Sequence, residues 1–228
     1  MNPTADLFRS AVAFAPQAGA TTVAQRRAAL ARLKKTVLAH REDFHRALRT
    51  DLGRPEVETD LSELYAVTSL VDYVSGKLAG WMRTERVPSP LTLWPAKAEI
   101  RHESKGAVLV MAPWHFPVNL SLSPVVYAVA AGNAVVLKPS EVAPATAQLL
   151  AKVVQEAFPE GWVRTVQGDA ETAKSLLEHP WNHIFFTGGP SIGKTVMAAA
   201  SKHLTSVTLE LGGKSPVFLD PSFSVERA

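Results

Sequence analysis

The sequence contains no cysteine in 228 residues. That absence excludes disulfides, cysteine-ligated zinc and thiol catalysis within these residues, and decides nothing about compartment. Long apolar runs are also missing. The longest apolar region, Pro124 to Leu137, is too short to span a bilayer and carries Gly132-Asn133. The start, Met1 to Gly19, has Asp6 and Arg9 instead of a basic start and an unbroken apolar core, so it does not read as a signal peptide. A soluble, cytoplasmic protein with no membrane partner is expected. Charge of one sign is scarce as well: the net charge is +3, with basic residues scattered over helical stretches. A nucleic-acid partner would need a concentrated basic face, so none is expected. No internal repeat, low-complexity tract or metal-ligating set stands out. What remains is a globular composition, 46% hydrophobic and 20% charged, long enough for one large domain or one and a half ordinary ones.

Residues 1 to about 85 read as helical. Thr22-Val23-Ala24-Gln25 fits a capping box, in which hydroxyl and amide satisfy orphan N–H groups. Leu30, Leu33, Val37, Phe44, Leu48 and Leu52 form one apolar stripe, and Gly53 with Pro55 stops it. A second helical segment runs from Pro55 to Met82, with Leu61, Leu64, Val67, Leu70, Val71 and Val74 inward. Between Arg86 and Lys105, Pro88, Pro90 and Pro95 forbid a helix interior. Leu91 to Trp94 and Glu99 to Arg101 are expected to be extended, making an arm or hairpin.

From Gly106 the chain alternates short strands and helices. Strands are expected at Ala107 to Met111, Ala134 to Leu137, Val163 to Val166, Ile184 to Phe186 and Val207 to Leu209. Helices are expected near Leu120 to Ala131, Ala143 to Phe158, Ala170 to Leu177 and Ile192 to His203. Continuous apolar strands between helices predict an α/β, Rossmann-like, largely parallel sheet, with ligands beyond the carboxyl ends of the strands. The expected division is 1–85 helical, 86–105 arm and 106–228 Rossmann-like.

Four motifs fall at strand ends or turns. Ala112-Pro113-Trp114-His115-Phe116-Pro117 follows the first strand and also fits a plain proline-bounded loop. Lys138, Ser140 and Glu141 end the next strand, where they suit sugar hydroxyls. Alternatively, Ser140 caps the following helix and Glu141 complements its dipole. Gly188-Gly189-Pro190-Ser191-Ile192-Gly193-Lys194-Thr195 matches the P-loop pattern letter for letter, and Val217-Phe218-Leu219-Asp220 offers an aspartate for magnesium. The same letters suit any phosphate at a helix start. Last, Leu209-Glu210-Leu211-Gly212-Gly213 sets a lone carboxylate at a glycine turn, between one strand and a second expected at Val217 to Leu219.

Together, in this order, the four resemble the N-terminal half of an aldehyde dehydrogenase. The likeness is to the class 3 and coniferyl-type branch, on Trp81-Met82-Arg83, the Pro-Trp-His-Phe-Pro segment with Asn119-Leu120, and the run Lys202 to Pro216. The resemblance implies NAD as cofactor, with NADP as the alternative, in the neighbourhood of Trp114, Lys138, Ser140 and Glu141. Glu141 suits a free 2′-hydroxyl better than a 2′-phosphate. Gly188, Gly189 and Gly193 would form the phosphate turn, although many relatives carry serine and threonine where Gly189-Pro190 stands.

In the family a cysteine thiolate attacks an aldehyde, hydride passes to the nicotinamide, and a glutamate helps water attack the thioester. Glu210 takes that glutamate's position. His115 stands where the family usually has an asparagine that donates to the oxyanion, and it reads equally as a histidine packed in a loop. Ser201 or Thr208 in place of the thiolate would need an activating base, and the sequence offers no candidate. The chain is therefore expected to be an incomplete aldehyde dehydrogenase, inactive alone, with Ser222 or Ser224 as a helix N-cap and Val225-Glu226-Arg227 beginning the first turn. Expected partners are an aldehyde in the complete enzyme, further copies in a homo-oligomer, or a complementing C-terminal chain. The rival readings are a non-catalytic nucleotide-binding or assembly partner and a P-loop ATPase.

Overall fold

The computed structural model describes residues 3–224 and 226. Helices fill the first part: α1 (Pro3–Gly19), α2 (Val23–Ala39), α3 (Arg41–Leu52), α4 (Glu56–Thr59) and α5 (Tyr65–Trp81), with a π turn, Asp60–Leu64, joining the last two. The capping box forms as expected, Thr22 accepting from the Gln25 N–H and Gln25 reaching back to the Thr22 N–H. The apolar stripe is shared by two helices that break at His40. Leu30, Leu33, Val37, Phe44 and Leu48 are all buried, and Leu52 packs at the margin. Gly53 ends α3 at φ +65°, a conformation that costs glycine little.

One inward assignment fails. Leu61 is 65% exposed. A π turn holds more residues than an α turn and so shifts the phase of the face. The shift carries Glu63 and Leu64 inward, both buried, and leaves Leu61 outside.

The arm is a hairpin of β1 (Glu85–Val87) and β2 (Ala98–Ile100), paired antiparallel. Its tip differs from expectation. Leu91–Leu93 is a 3₁₀ turn, closed by the Leu93 N–H on the Pro90 carbonyl at 2.9 Å and the Trp94 N–H on the Leu91 carbonyl at 3.1 Å.

The main sheet holds β3 (Ala107–Met111), β4 (Ala134–Lys138), β5 (Val163–Thr165), β6 (His183–Gly188) and β7 (Ser206–Leu211), in spatial order β5-β4-β3-β6-β7. Every pairing is parallel. The connecting helices are α6 (Asn119–Ala130), α7 (Pro144–Ala157), α8 (Ala170–Leu177) and α9 (Pro190–Ser201). Side chains alternate across each strand. Val108, Val110, Val135 and Leu137 pack with residues of α2, α5, α6 and α7, whereas Leu109, Met111, Val136, Ile184 and Phe186 pack with residues of α1, α8 and α9.

Val217, Phe218 and Leu219 form no strand and are exposed. No described layer covers them, and among the described residues β7 pairs with β6 alone. Of the expected terminal helix, Val225 and Arg227 lie outside the described residues. Ser222 is held differently from a cap: its N–H and hydroxyl both donate to Asp220 Oδ1.

Candidate functional site

Strand order reverses at β3. The chain winds outward from β3 to β5, then returns to place β6 and β7 on β3's other side. Parallel sheets bind ligands at such a switch point, beyond the carboxyl ends. A cleft of about 910 Å³ opens there. Trp114 and His115 line it from the β3–α6 loop, Ser140 from the end of β4, Gly188 and Gly189 from the end of β6, and Glu210 from β7.

Glu210 lies within β7, one residue before its end, paired in register with Thr187. It is exposed to the cleft, just before Gly212-Gly213. His115 is exposed, its ring edge-on to Trp114 and Phe116 at 6.1 and 5.6 Å. It is an exposed ring of the β3–α6 loop, packed edge-on between its neighbours at the cleft.

Three sequence-predicted site residues fall outside the lining. Lys138 ends β4 with its side chain buried, its Nζ donating to Glu141 Oε2 at 2.8 Å and to the Pro139 carbonyl at 3.2 Å. Partial burial, the largest single influence, resists ionisation of Glu141, but the hydrogen bond from Lys138, a backbone N–H and the Lys138 charge together outweigh it and hold its carboxyl below the usual range. The third is Gly193, which is no part of a turn. It sits inside α9, where a Cβ would meet Leu211 Cδ2 at 2.8 Å. Its smallness serves close helix–strand packing, as a third fingerprint glycine does.

Helix α9 begins at Pro190 with Gly189 as its cap and no side-chain cap bond. The Gly193 N–H makes a helical bond to the Gly189 carbonyl at 3.0 Å. The N–H groups of Ser191 and Ile192, in the turn before it, are helix-start donors with no partner carbonyl within the helix. A Cβ on Gly189 would meet nothing within 4 Å, so a ligand has room to approach that backbone. An anionic phosphate fits this chemistry. A P-loop does not fit the backbone, because Ser191 to Thr195 lie in the helix and a single residue separates β6 from α9. Asp220, the expected magnesium ligand, is engaged by Ser222.

Ser140 does not cap α7. Its hydroxyl accepts from the Val142 N–H at 3.3 Å. Instead Asp51 of α3 takes the Ala145 and Thr146 N–H groups at 3.1 and 2.7 Å and the Thr146 hydroxyl at 2.7 Å. Sequence reading missed this residue, because a carboxylate 94 positions away leaves no local signal. It also missed a base beside Thr208: His183 Nε2 lies 3.0 Å from its hydroxyl. That pair starts from the amino end of β6, opposite the end that opens into the cleft.

The family model for the aldehyde dehydrogenase family matches residues 4–228. The chain belongs to the aldehyde dehydrogenase family. Aldehyde dehydrogenase family 3 member H1 of Arabidopsis thaliana is 46% identical over 82% of this chain and 40% of its own. Human aldehyde dehydrogenase family 3 member B1 is 42% identical over 96% of this chain and 47% of its own. A structure of the substrate-bound state of Staphylococcus aureus AldH superposes with a TM-score of 0.91 at 35% identity, covering 97% of this chain and 48% of that one. A glyceraldehyde-3-phosphate dehydrogenase from Methanocaldococcus jannaschii, complexed with NADP, shares the fold at TM-score 0.82 and 23% identity. The chain thus spans about half the length of the aldehyde dehydrogenases it matches. Among the described residues no helix is long and apolar enough to cross a membrane, and no histidine or carboxylate group suits a metal ion.

Proposed function

We propose that these residues form the dinucleotide-binding part of an NAD(P)-dependent aldehyde dehydrogenase of the family 3 type. The observation that carries this reading is the cleft at the β3/β6 switch point, where the uncapped start of α9 and the Glu210 carboxylate face one volume. The pyrophosphate of NAD or NADP would rest on the Ser191 and Ile192 N–H groups beside Gly188 and Gly189. Trp114 and Ser140 would flank the rest of the dinucleotide, and Glu141 would set the preference for NAD. When bound, the nicotinamide supplies the hydride acceptor for oxidation of an aldehyde to its acid.

Glu210 is suited to draw a proton from an attacking water, since it is exposed at the cleft and no cation pairs with it among the described residues. His115 would present one ring N–H where the family places an amide. No thiolate exists among these residues, so we propose that they do not turn over aldehyde by themselves. The division at 85 and 105 goes with this reading, as does a cytoplasmic setting.

A thermal-shift titration of the purified 228-residue protein with NAD, NADP and Mg-ATP tests the proposal. Stabilisation by NAD or NADP is expected. Stabilisation by Mg-ATP alone, or aldehyde-dependent NADH formation by this protein, overturns it. A second reading, as an assembly partner of a complete subunit, draws on the arm tip, where Leu91, Leu93 and Trp94 are all exposed. It predicts association through that hairpin without a dinucleotide requirement.

A further inference from the structure

Glu63 is fully buried, and both of its carboxylate oxygens are taken. Oε2 accepts from the Val118 N–H at 3.1 Å and the Asn119 N–H at 2.7 Å, so it caps α6, which has no side-chain cap of its own. Oε1 accepts from Arg54 Nη1. The other arm of that guanidinium, Nη2, donates to the His115 carbonyl at 2.6 Å, and its Cζ lies 4.8 Å from the Phe116 ring centroid. Asn119 Nδ2 donates to the Ser62 carbonyl at 3.1 Å, adding a further hold from the same π turn. Neither Glu63 nor Arg54 lines the cleft. Apart from the Glu63–Arg54 pair itself, these contacts nevertheless end on the segment from His115 to Asn119, whose first residue, with Trp114, does line it.

The π turn is what makes the arrangement reachable. The added residue that sends Leu61 to solvent directs Glu63 inward, beneath the loop. Arginine is the cation suited to the task, because its planar fork serves the carboxylate and the carbonyl together; a lysine ammonium on a flexible stem does not fix both. A buried carboxylate with one cationic partner is a poor device for stability alone, given its desolvation cost. It is a good device for fixing a loop in one place.

We propose that Glu63 and Arg54 are positioning residues of the cleft, holding the 115–119 backbone where Trp114 and His115 face the bound dinucleotide. This rests on the dinucleotide reading of the cleft. Misplacing a binding wall by an ångström can cost about 100-fold in function.

The test compares wild type with Glu63→Gln, Arg54→Lys and a core control, Val37→Ala in α2. It measures NAD and NADP affinity by calorimetry well below the melting temperature, and hydrogen exchange of the 112–120 peptide by mass spectrometry. Glu63→Gln keeps shape and one acceptor, so it preserves folding where a truncation fails. The expected result is about tenfold weaker dinucleotide binding in both loop variants, with exchange accelerated selectively in 112–120. The Val37→Ala control should lose melting temperature and keep its affinity. Loop variants that lose affinity no more than the control, or whose exchange rises uniformly, overturn the proposal. If wild type binds neither dinucleotide, the cleft reading fails on its own. The hold on the loop is then judged by exchange: selective acceleration upholds it and uniform acceleration sinks it.

Discussion

Gly193 in α9 lies so close to Leu211 at the end of β7 that a Cβ on the glycine would come within 2.8 Å of Leu211 Cδ2. The neighbour is the far end of a partly exposed side chain, so a single methyl can displace it. Gly193→Ala should therefore change stability little, since a gain of about 1 kcal/mol in helix propensity offsets the shift. Gly193→Val adds bulk beyond what Leu211 can yield and should cost about 1–3 kcal/mol. Urea unfolding separates the two. Because Leu211 also lines the cleft, both variants should weaken dinucleotide binding.

Asp51 caps α7 from a different helix, taking two N–H groups and a hydroxyl. Asp51→Ala should cost about 1–2 kcal/mol, as loss of a helix cap does. The loss should appear in the unfolding midpoint with dinucleotide affinity unchanged. An effect of a few tenths would show that water replaces the cap at no cost.

His40 bridges two carboxylates, with Nδ1 2.7 Å from Asp43 and Nε2 2.8 Å from Glu156 of α7. The hydrogen bonds to Asp43 and Glu156 raise its pKa above 6.5, against a smaller effect of burial. The folded protein therefore holds this proton more tightly than the unfolded chain. The resulting stability is complete below the unfolded value of about 6.5 and is lost as pH rises through the higher folded value. Unfolding midpoints at about pH 6 and pH 9 should differ in that sense, and His40→Gln should shrink the difference. A variant with the same pH slope as wild type would remove His40 from the account.

Lys194 is exposed on α9 and does not line the cleft. Lys194→Ala should leave NAD affinity close to that of wild type. A P-loop lysine would behave otherwise, its loss abolishing Mg-ATP binding. Calorimetry with both nucleotides distinguishes the cases.

Glu141 is held by Lys138 at the end of β4. Glu141→Gln keeps an acceptor for the buried ammonium while removing the negative charge a 2′-phosphate would meet. The ratio of NADP to NAD affinity should rise. An unchanged ratio would take Glu141 out of cofactor choice.

The regular parts of this fold were legible because their signals are local. Ala107 to Met111 and Ala170 to Leu177 have the bounds their apolar patterns predict, and the Thr22–Gln25 box caps α2 as written. Signals failed where a residue's partner is remote. Val217 to Leu219 has the composition of a strand and no strand beside it among the described residues. Leu61 follows the helical period and is turned out by the π turn that Glu63 requires. Gly193 sits in a letter pattern for a loop, yet it is a packing glycine inside a helix.

The candidate site divides the same way. Trp114, His115, Ser140, Gly188, Gly189 and Glu210 converge because parallel strands deliver their carboxyl ends to one side, which the alternation of strands and helices already implied. Asp51, Arg54 and Glu63 carry no sequence signal, since each acts on backbone more than fifty positions away. The sequence by itself determined most of the regular secondary structure, the parallel sheet and the lack of a thiolate among these residues, because these depend on periodicity and composition. Only the tertiary structure decided which buried charges hold the loops of the cleft, because a desolvated carboxylate takes its meaning from the donors that folding brings to it.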